Sequence, residues 1–253
     1  MGWNEFCSNI YTEPKIQRAL GGNVALMMVV FAGCYVLTSN ISLYLYYINA
    51  KRASNADPAA VSRAIFPIYR WILIAQWFIN SYIGILLYFY VPPTFGMYWD
   101  QAAPYGIMYG IQHAMIEGVA MLFLQKGLGY NSVYTTCMYA SIWGVISVTV
   151  EMVTLSATGH LRSFVLLIWY VVMLLFYGAL YFTPQEKLFR RPAVFPYARF
   201  WFIYRLAILI FFLFTVSDME VTTTKCINTF IRFGLFALFQ PLVTYRALIQ
   251  DSE

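Results

Sequence analysis

Seven long apolar segments follow one another along this chain, and they limit its possible folds more than any other feature. They cover 23–48, 66–91, 104–125, 133–156, 162–182, 200–217 and 226–247. A helix of about 20 apolar residues crosses the hydrocarbon core of a bilayer, and it satisfies its own backbone polar groups there. The alternation typical of transmembrane barrels is missing. The pattern predicts an all-α bundle of seven transmembrane helices, or of six if 200–217 lies at the interface.

The composition excludes several classes of protein. Of the 253 residues, 61% are hydrophobic and 11% are charged, whereas a soluble domain has about 45–50% apolar and about 25% charged residues. We therefore exclude a soluble enzyme, a nucleic-acid-binding module and a disordered chain. The predicted organisation is an N-terminal polar or interfacial segment at 1–22, a transmembrane domain at 23–248 and a short tail at 249–253.

Lysine and arginine collect on one side of the predicted bundle. The odd-numbered connections and the C-terminal end carry Lys51, Arg52, Arg63, Lys126, Lys187, Arg190, Arg191, Arg199 and Arg246. The opposite side carries Lys15, Arg18, Arg162 and Lys225. Because basic residues favour the cytoplasmic side of a membrane, this bias predicts an N-terminus that is outside or lumenal and a cytosolic C-terminus.

Two basic connections are candidate contact surfaces on the cytosolic side. They contain Lys51, Arg52, Arg63, Lys187, Arg190 and Arg191. Each basic residue near an anionic leaflet contributes about 1 kcal/mol of attraction, so these connections could bind lipid or protein partners. The alternative is that they only determine the orientation of the chain.

Ionisable residues within apolar segments are the main leads to function, because their burial in a membrane is costly. His113 and Glu117 lie four residues apart near the middle of the third segment, so they share one helix face. One interpretation is a proton-sensitive pair or a polar ligand anchor. The other is an interhelical hydrogen-bond cluster with Asn40, Asn80 or Gln112.

Four further charged residues lie within the predicted spans. Glu151 and Arg232 fall at similar depths below the outer surface, so we expect a buried pair or an aqueous pocket that opens outward. Arg70 and Arg205 lie close to the cytosolic ends of spans two and six, where long side chains can extend to the interface. We therefore expect these two arginines to be structural.

Two features predict local helix geometry. Pro241 is the one proline deep within a predicted span, and it predicts a kink in the seventh helix. Gly106, Gly110 and Gly118 give the third span small residues at which another helix can approach closely.

Several kinds of specific chemistry are disfavoured by the sequence. No lysine lies near the middle of span seven, where a retinal Schiff base would form, and the two histidines cannot form a facing haem-ligand pair. The four cysteines lack metal-ligand spacing, and zinc hydrolase and serine hydrolase motifs are missing. We expect no catalytic residue, metal or cofactor.

The segment after the fifth span resembles a known family. It contains Phe182-Thr183-Pro184-Gln185-Glu186-Lys187, Arg190-Arg191-Pro192, Tyr197 and later Phe239-Gln240-Pro241-Leu242. Over 182–245 this resembles the seven-span family of the adipocyte-associated transmembrane protein and the plant tobamovirus-multiplication and THH-like membrane proteins. Glu117 and Glu151 fall where acidic positions of that family are expected. The resemblance implies a receptor-like, non-enzymatic protein of the vacuolar, endolysosomal or plasma membrane that scaffolds cytosolic partners.

Three hypotheses of function follow. The first is a receptor-like or scaffolding membrane protein without catalysis. The second is a structural subunit of a larger membrane assembly. The third is a small proton-coupled transporter that uses His113, Glu117 and Glu151. The expected partners are the lipid bilayer and proteins in the membrane or at its cytosolic face, with no nucleic acid.

Overall fold

A computed structural model describes residues 14–17, 23–56, 66–89, 99–127, 133–156, 159–183, 193–217 and 230–250. Its seven α-helices are α1 (Leu26–Ala56), α2 (Phe66–Phe89), α3 (Trp99–Gly127), α4 (Val133–Ser156), α5 (Gly159–Phe182), α6 (Val194–Ser217) and α7 (Phe236–Gln250). A π-helix at Phe230–Leu235 leads directly into α7. The predicted all-α class is confirmed, and each predicted apolar segment overlaps one of these helices.

Four of the described helices are long and apolar enough to cross a membrane. They do so over Leu26–Asn49 in α1, Arg70–Phe89 in α2, Ser163–Phe182 in α5 and Val194–Phe214 in α6. Such helices indicate a membrane protein. The sixth helix is longer than predicted, because α6 begins at Val194, before the predicted start of that segment, and contains a 21-residue apolar stretch. Whether it spans the membrane or lies at the interface stays a prediction.

A short antiparallel strand pair precedes the first helix. β1 (Pro14–Gln17) pairs with β2 (Asn23–Ala25), with Ile16 opposite Val24 and Gln17 opposite Asn23. The first helix therefore begins at Leu26 and not at the predicted residue 23, because the backbone of 23–25 is paired with β1. The predicted N-terminal segment includes β1.

Interhelical contacts show that neighbouring helices alternate in direction. Trp77 of α2 contacts Asn40 of α1, whereas Gly84, further along α2, meets Ala32, which is earlier in α1. Between α1 and α7, later residues of one helix instead contact later residues of the other. Thr38 contacts Ala237, and Asn49 contacts Tyr245. Thus α1 is antiparallel to α2 and parallel to α7.

The same comparison gives the directions of α3 and α6. The ring of Phe123 near the end of α3 contacts Tyr197 near the start of α6, whereas His113, earlier in α3, contacts Arg205, later in α6. These two helices are therefore antiparallel. In turn, α6 is antiparallel to α7, since Phe200 contacts Phe239 and Tyr204 contacts Phe236.

Glycine allows helices to pack closely at two places. A Cβ atom at Gly110 in α3 would lie 2.7 Å from the backbone Cα of Val148 in α4, so the predicted close approach in the third helix is confirmed at this residue. A Cβ at Gly84 in α2 would lie 2.9 Å from the carbonyl oxygen of Ala32 in α1. Since backbone atoms cannot easily move aside, both positions need glycine.

The outer surface of the bundle is apolar. Large hydrophobic side chains on most of its helices are exposed, and examples are Trp71 at 67%, Val145 at 67% and Leu175 at 66% exposure. The interior holds a group of aromatic rings from α5, α6 and α7, among them Tyr177 and Trp201. An apolar exterior around a partly polar interior suits a bilayer.

Candidate functional site

Glu117 and Arg205 form an ion pair inside the bundle. The guanidinium Nη2 of Arg205 in α6 donates a hydrogen bond of 3.0 Å to Oε1 of Glu117 in α3. Glu117 is 0% exposed and Arg205 is 2% exposed. Each charge therefore has its counter-charge at the same depth, which offsets part of the cost of removing both from water.

The expectation that Arg205 extends to the interface is wrong. The helix α6 begins at Val194, so Arg205 lies eleven residues along it, or about 16 Å from its start at about 1.5 Å per residue. Its side chain instead turns towards the carboxylate of Glu117. Arg205 is thus a member of this buried group that the sequence interpretation placed at the interface. The only signal in the sequence was a lone arginine in an apolar run that begins earlier than predicted.

His113 is the third member of this group. It lies one turn before Glu117 on α3, and its Nδ1 is 2.9 Å from Nη2 of Arg205. Because a guanidinium has donors and no acceptor, Nδ1 accepts this hydrogen bond. The ring is therefore neutral, with its proton at Nε2. The two hydrogens of Nη2 thus bind two side chains of α3.

Two tyrosines complete the contacts between α3, α5 and α6. The hydroxyl of Tyr177 in α5 donates to Oε1 of Glu117 at 3.5 Å. The hydroxyl of Tyr197 in α6 donates to the backbone carbonyl of Ile116 at 3.0 Å. We call His113, Glu117, Tyr177 and Arg205 the charged cluster.

A second polar group lies on another side of α3. Nε2 of Gln112 donates to Oδ1 of Asn80 in α2 at 2.5 Å, and Nδ2 of Asn80 donates to Oε1 of Gln240 in α7 at 3.0 Å. All three side chains are buried, and we call them the amide cluster. In the lipid interior such interhelical hydrogen bonds fix the register of neighbouring helices.

The predicted single cluster around His113 and Glu117 is thus divided into two. Asn80 and Gln112 bind Gln240 in the amide cluster, whereas His113 and Glu117 bind Arg205. The adjacent residues Gln112 and His113 belong to different clusters, because neighbouring side chains on a helix point about 100° apart.

Asn40 does not join either cluster, so its predicted place in the polar interior is wrong. Its side chain is exposed on the outer face of α1. Its Nδ2 donates to the carbonyl of Val36 at 2.7 Å, and its Oδ1 accepts from Nε1 of Trp77 at 3.0 Å. The rotation of α1 decides this outcome, because it turns Thr38 inward and Asn40 outward.

The seventh helix is irregular near the amide cluster. Pro241 lies inside α7, directly after Gln240, and the π-helix Phe230–Leu235 precedes α7. Proline has no N–H, so it cannot bind the carbonyl of Ala237 four residues earlier. That carbonyl lies 2.7 Å from Oγ1 of Thr38 in α1. A hydroxyl of a neighbouring helix is therefore in position to donate to the carbonyl that Pro241 leaves without an amide partner.

Most of the predicted basic contact residues lie outside the described part of the chain. Lys51 is exposed near the end of α1. The side chains of Arg52, Glu151 and Arg232, and the whole of Arg63, Lys187, Arg190 and Arg191, lie outside the described residues. The expected Glu151–Arg232 pair and the basic surface therefore stay predictions.

The described polar interior can bind protons and donate or accept hydrogen bonds. Among the residues that the structure describes, no group of three or more His, Cys, Asp or Glu is arranged to hold a metal ion. The polar side chains of both clusters bind one another directly across the helix interfaces. This arrangement holds helices together and gives them one register.

Comparisons with known proteins add no relative to this description. No model of a known protein family matches the chain, no curated protein matches it, and no solved structure matches it. The resemblance noted over 182–245 stays a prediction.

Proposed function

We propose that this protein is a non-enzymatic, receptor-like or scaffolding integral membrane protein. It has seven spans, with the N-terminus outside or lumenal and the C-terminus cytosolic. The observation that carries the proposal is the hydrogen bonding of one guanidinium nitrogen of Arg205 to both Glu117 and His113. The buried charges of α3 and α6 bind each other. This is expected in a protein whose function depends on a fixed arrangement of its helices.

The physics of helix association supports this interpretation. Lipid tails are as apolar as leucine, so the helices of a membrane bundle are not held by the hydrophobic effect. Close packing and interhelical hydrogen bonds take its place. Here the charged cluster joins α3, α5 and α6, and the amide cluster joins α2, α3 and α7. The shared helix α3 makes the bundle a stable platform for partners.

The proposed partners are proteins in the membrane or at its cytosolic face, together with the bilayer itself. The contact surface consists of the basic connections around Lys51 and around Arg190 and Arg191. A vacuolar, endolysosomal or plasma membrane location rests on the family resemblance alone.

Charge reversal of the second basic connection tests the partner surface. In the protein with Arg190→Glu and Arg191→Glu, we expect crosslinking in cells to lose the cytosolic partners that the wild type captures. The matched control is Arg162→Glu, which the proposed orientation puts on the opposite side, and it keeps every partner. An unchanged partner set in the double variant contradicts the proposal.

Cysteine labelling tests the orientation. In a chain with Cys7, Cys34, Cys137 and Cys226 replaced by serine, single cysteines are introduced at Lys51, Leu161 and Arg246. Tyr170 of α5 contacts Phe212 of α6, whereas Tyr177 contacts Trp201, so α5 is antiparallel to α6 and runs in the same direction as α1 and α7. Lys51 and Arg246 therefore lie on one side and Leu161 on the other. In sealed vesicles with the outer face exposed, a charged maleimide should label only Leu161→Cys. Labelling of Lys51→Cys there contradicts the orientation.

One observation favours a second candidate, a proton-coupled transporter. Oε2 of Glu117 is buried, and it has no hydrogen-bond partner among the described residues. A carboxylate oxygen with this environment, next to the neutral imidazole of His113, is suited to take up a proton. The candidate predicts that purified protein moves protons into pyranine-loaded liposomes and that Glu117→Gln abolishes this flux.

The control for this transport assay is Asn40→Gln, which changes an amide on the outer face of α1. It should leave the proton flux unchanged. If the wild type shows no flux, or if Glu117→Gln has the wild-type flux, the transporter candidate is wrong and the non-transporting scaffold remains.

A further inference from the structure

Gln76 is a buried polar side chain for which the described residues provide no hydrogen-bond partner. It lies in α2 one turn before Asn80 and is 1% exposed. Neither Oε1 nor Nε2 of Gln76 has a hydrogen-bond partner among the described residues. A buried polar group without a partner destabilises the folded state, and Gln76 has two such atoms within the span Arg70–Phe89.

Two more polar atoms of this kind come from neighbouring helices. Oε1 of Gln112 in α3 and Oγ1 of Thr244 in α7 are buried and make no hydrogen bond of normal geometry within the described part of the chain. Thr244 lies beside the hydroxyl of Tyr197. Three helices therefore each contribute a polar side chain with unused hydrogen-bonding capacity.

Helix register brings these groups to adjacent levels. Asn80 of α2 binds Gln240 of α7 and Gln112 of α3. Because α2 is antiparallel to both helices, one turn back along α2 corresponds to one turn forward along α7 and α3. Gln76 is therefore level with Thr244 and with Ile116, and Gln112 lies one turn away.

We propose that Gln76, Gln112 and Thr244 form a buried water-binding site between α2, α3 and α7. The groups offer an amide donor, two amide acceptors and a hydroxyl that can do both. A buried water typically makes about three hydrogen bonds to such groups. A metal ion is disfavoured, because none of these three side chains is an anionic ligand, and an apolar molecule would leave all four atoms without partners.

The proposed site lies next to the amide cluster and to Tyr197. The hydroxyl of Tyr197 donates to the carbonyl of Ile116, the residue of α3 level with Gln76. Tyr197 is 2% exposed, so bulk water does not reach it. Its ring is a reporter for bound water at this level of the bundle.

Radiolytic hydroxyl-radical footprinting tests the site in the full-length protein in detergent. Bound water that is irradiated in place produces radicals next to buried side chains. We expect Tyr197 to be oxidised several times faster than Tyr204, which is also buried in α6 and whose hydroxyl donates to the backbone carbonyl of Ile231. Equal slow oxidation of both tyrosines overturns the proposal, and this comparison needs no variant.

Thermal unfolding of Gln76→Leu gives an independent measure. If Gln76 binds water, the variant loses those hydrogen bonds and its Tm falls by about 2–4 °C. If Gln76 is dry and without partners, leucine removes a penalty and the Tm rises, which overturns the proposal. The matched control is Thr149→Val on the exposed face of α4, which should keep the Tm.

Discussion

The hydroxyl oxygen of Thr38 in α1 lies 2.7 Å from the backbone carbonyl of Ala237 in α7, the carbonyl that Pro241 cannot bind. A second acceptor, the carbonyl of Cys34, lies 2.6 Å from the same hydroxyl. Proline is tolerated in membrane helices where a neighbouring group satisfies the freed carbonyl. The irregularity of α7 and the inward direction of Thr38 are therefore parts of one interface.

We predict that Thr38→Val destabilises the protein by about 1 kcal/mol, since interhelical hydrogen bonds in membranes contribute about that much. Valine keeps the shape of threonine and removes only the hydroxyl. Unfolding by SDS in mixed micelles measures the loss. In a Pro241→Ala background the amide of residue 241 can bind the Ala237 carbonyl, so there Thr38→Val should cost less. An equal cost in both backgrounds contradicts this assignment.

For the charged cluster, we predict that Arg205→Met alone lowers the free energy of unfolding by about 3–5 kcal/mol, because it leaves Glu117 buried without its counter-charge. The double variant with Glu117→Leu should recover most of that loss, since it removes both charges. Thermal unfolding in detergent measures both. A double variant that is less stable than Arg205→Met would show that the two side chains are not coupled as described.

Two asparagines allow a matched comparison of buried and exposed amides. Asn80→Leu removes the acceptor of Gln112 and the donor to Gln240, so it leaves two buried amides without their bonds and should cost about 1–3 kcal/mol for each. Asn40→Leu changes an exposed side chain and should alter stability little. Both variants are denatured under one condition, and their free energies of unfolding are compared. Similar losses of stability would contradict the buried location of Asn80 and the exposed location of Asn40.

Glycine substitutions test the packing of α3 against α4. Gly110→Ala puts a Cβ 2.7 Å from the backbone of Val148, so the helices must separate and the Tm should fall. At Gly33 in α1 nothing lies within 4 Å of the added Cβ. There alanine should stabilise the helix by up to about 1 kcal/mol, because it has the higher helix propensity. Opposite signs of the two Tm shifts confirm the contact.

The polar residues of the site show which contacts could be predicted from the sequence. His113 and Glu117 could be assigned to one buried face from their spacing of four residues and their depth in an apolar run. The depth of Arg205 differs from the expectation, because the predicted apolar segment begins at residue 200, whereas α6 begins at Val194. The role of Gln240 was not predicted, since no local pattern distinguishes a buried amide from one at a helix surface.

The amino-acid sequence by itself determined the solvent of this protein and its secondary structure. Long apolar runs with scarce charge dictate membrane helices, because lipid offers backbone groups no partners. The tertiary structure alone decided which polar side chains meet. Asn40 and Asn80 are the same residue type within similar apolar runs, yet one is exposed and the other is buried. Helix rotation and axial register decide such outcomes, and both depend on the packing of all the helices together.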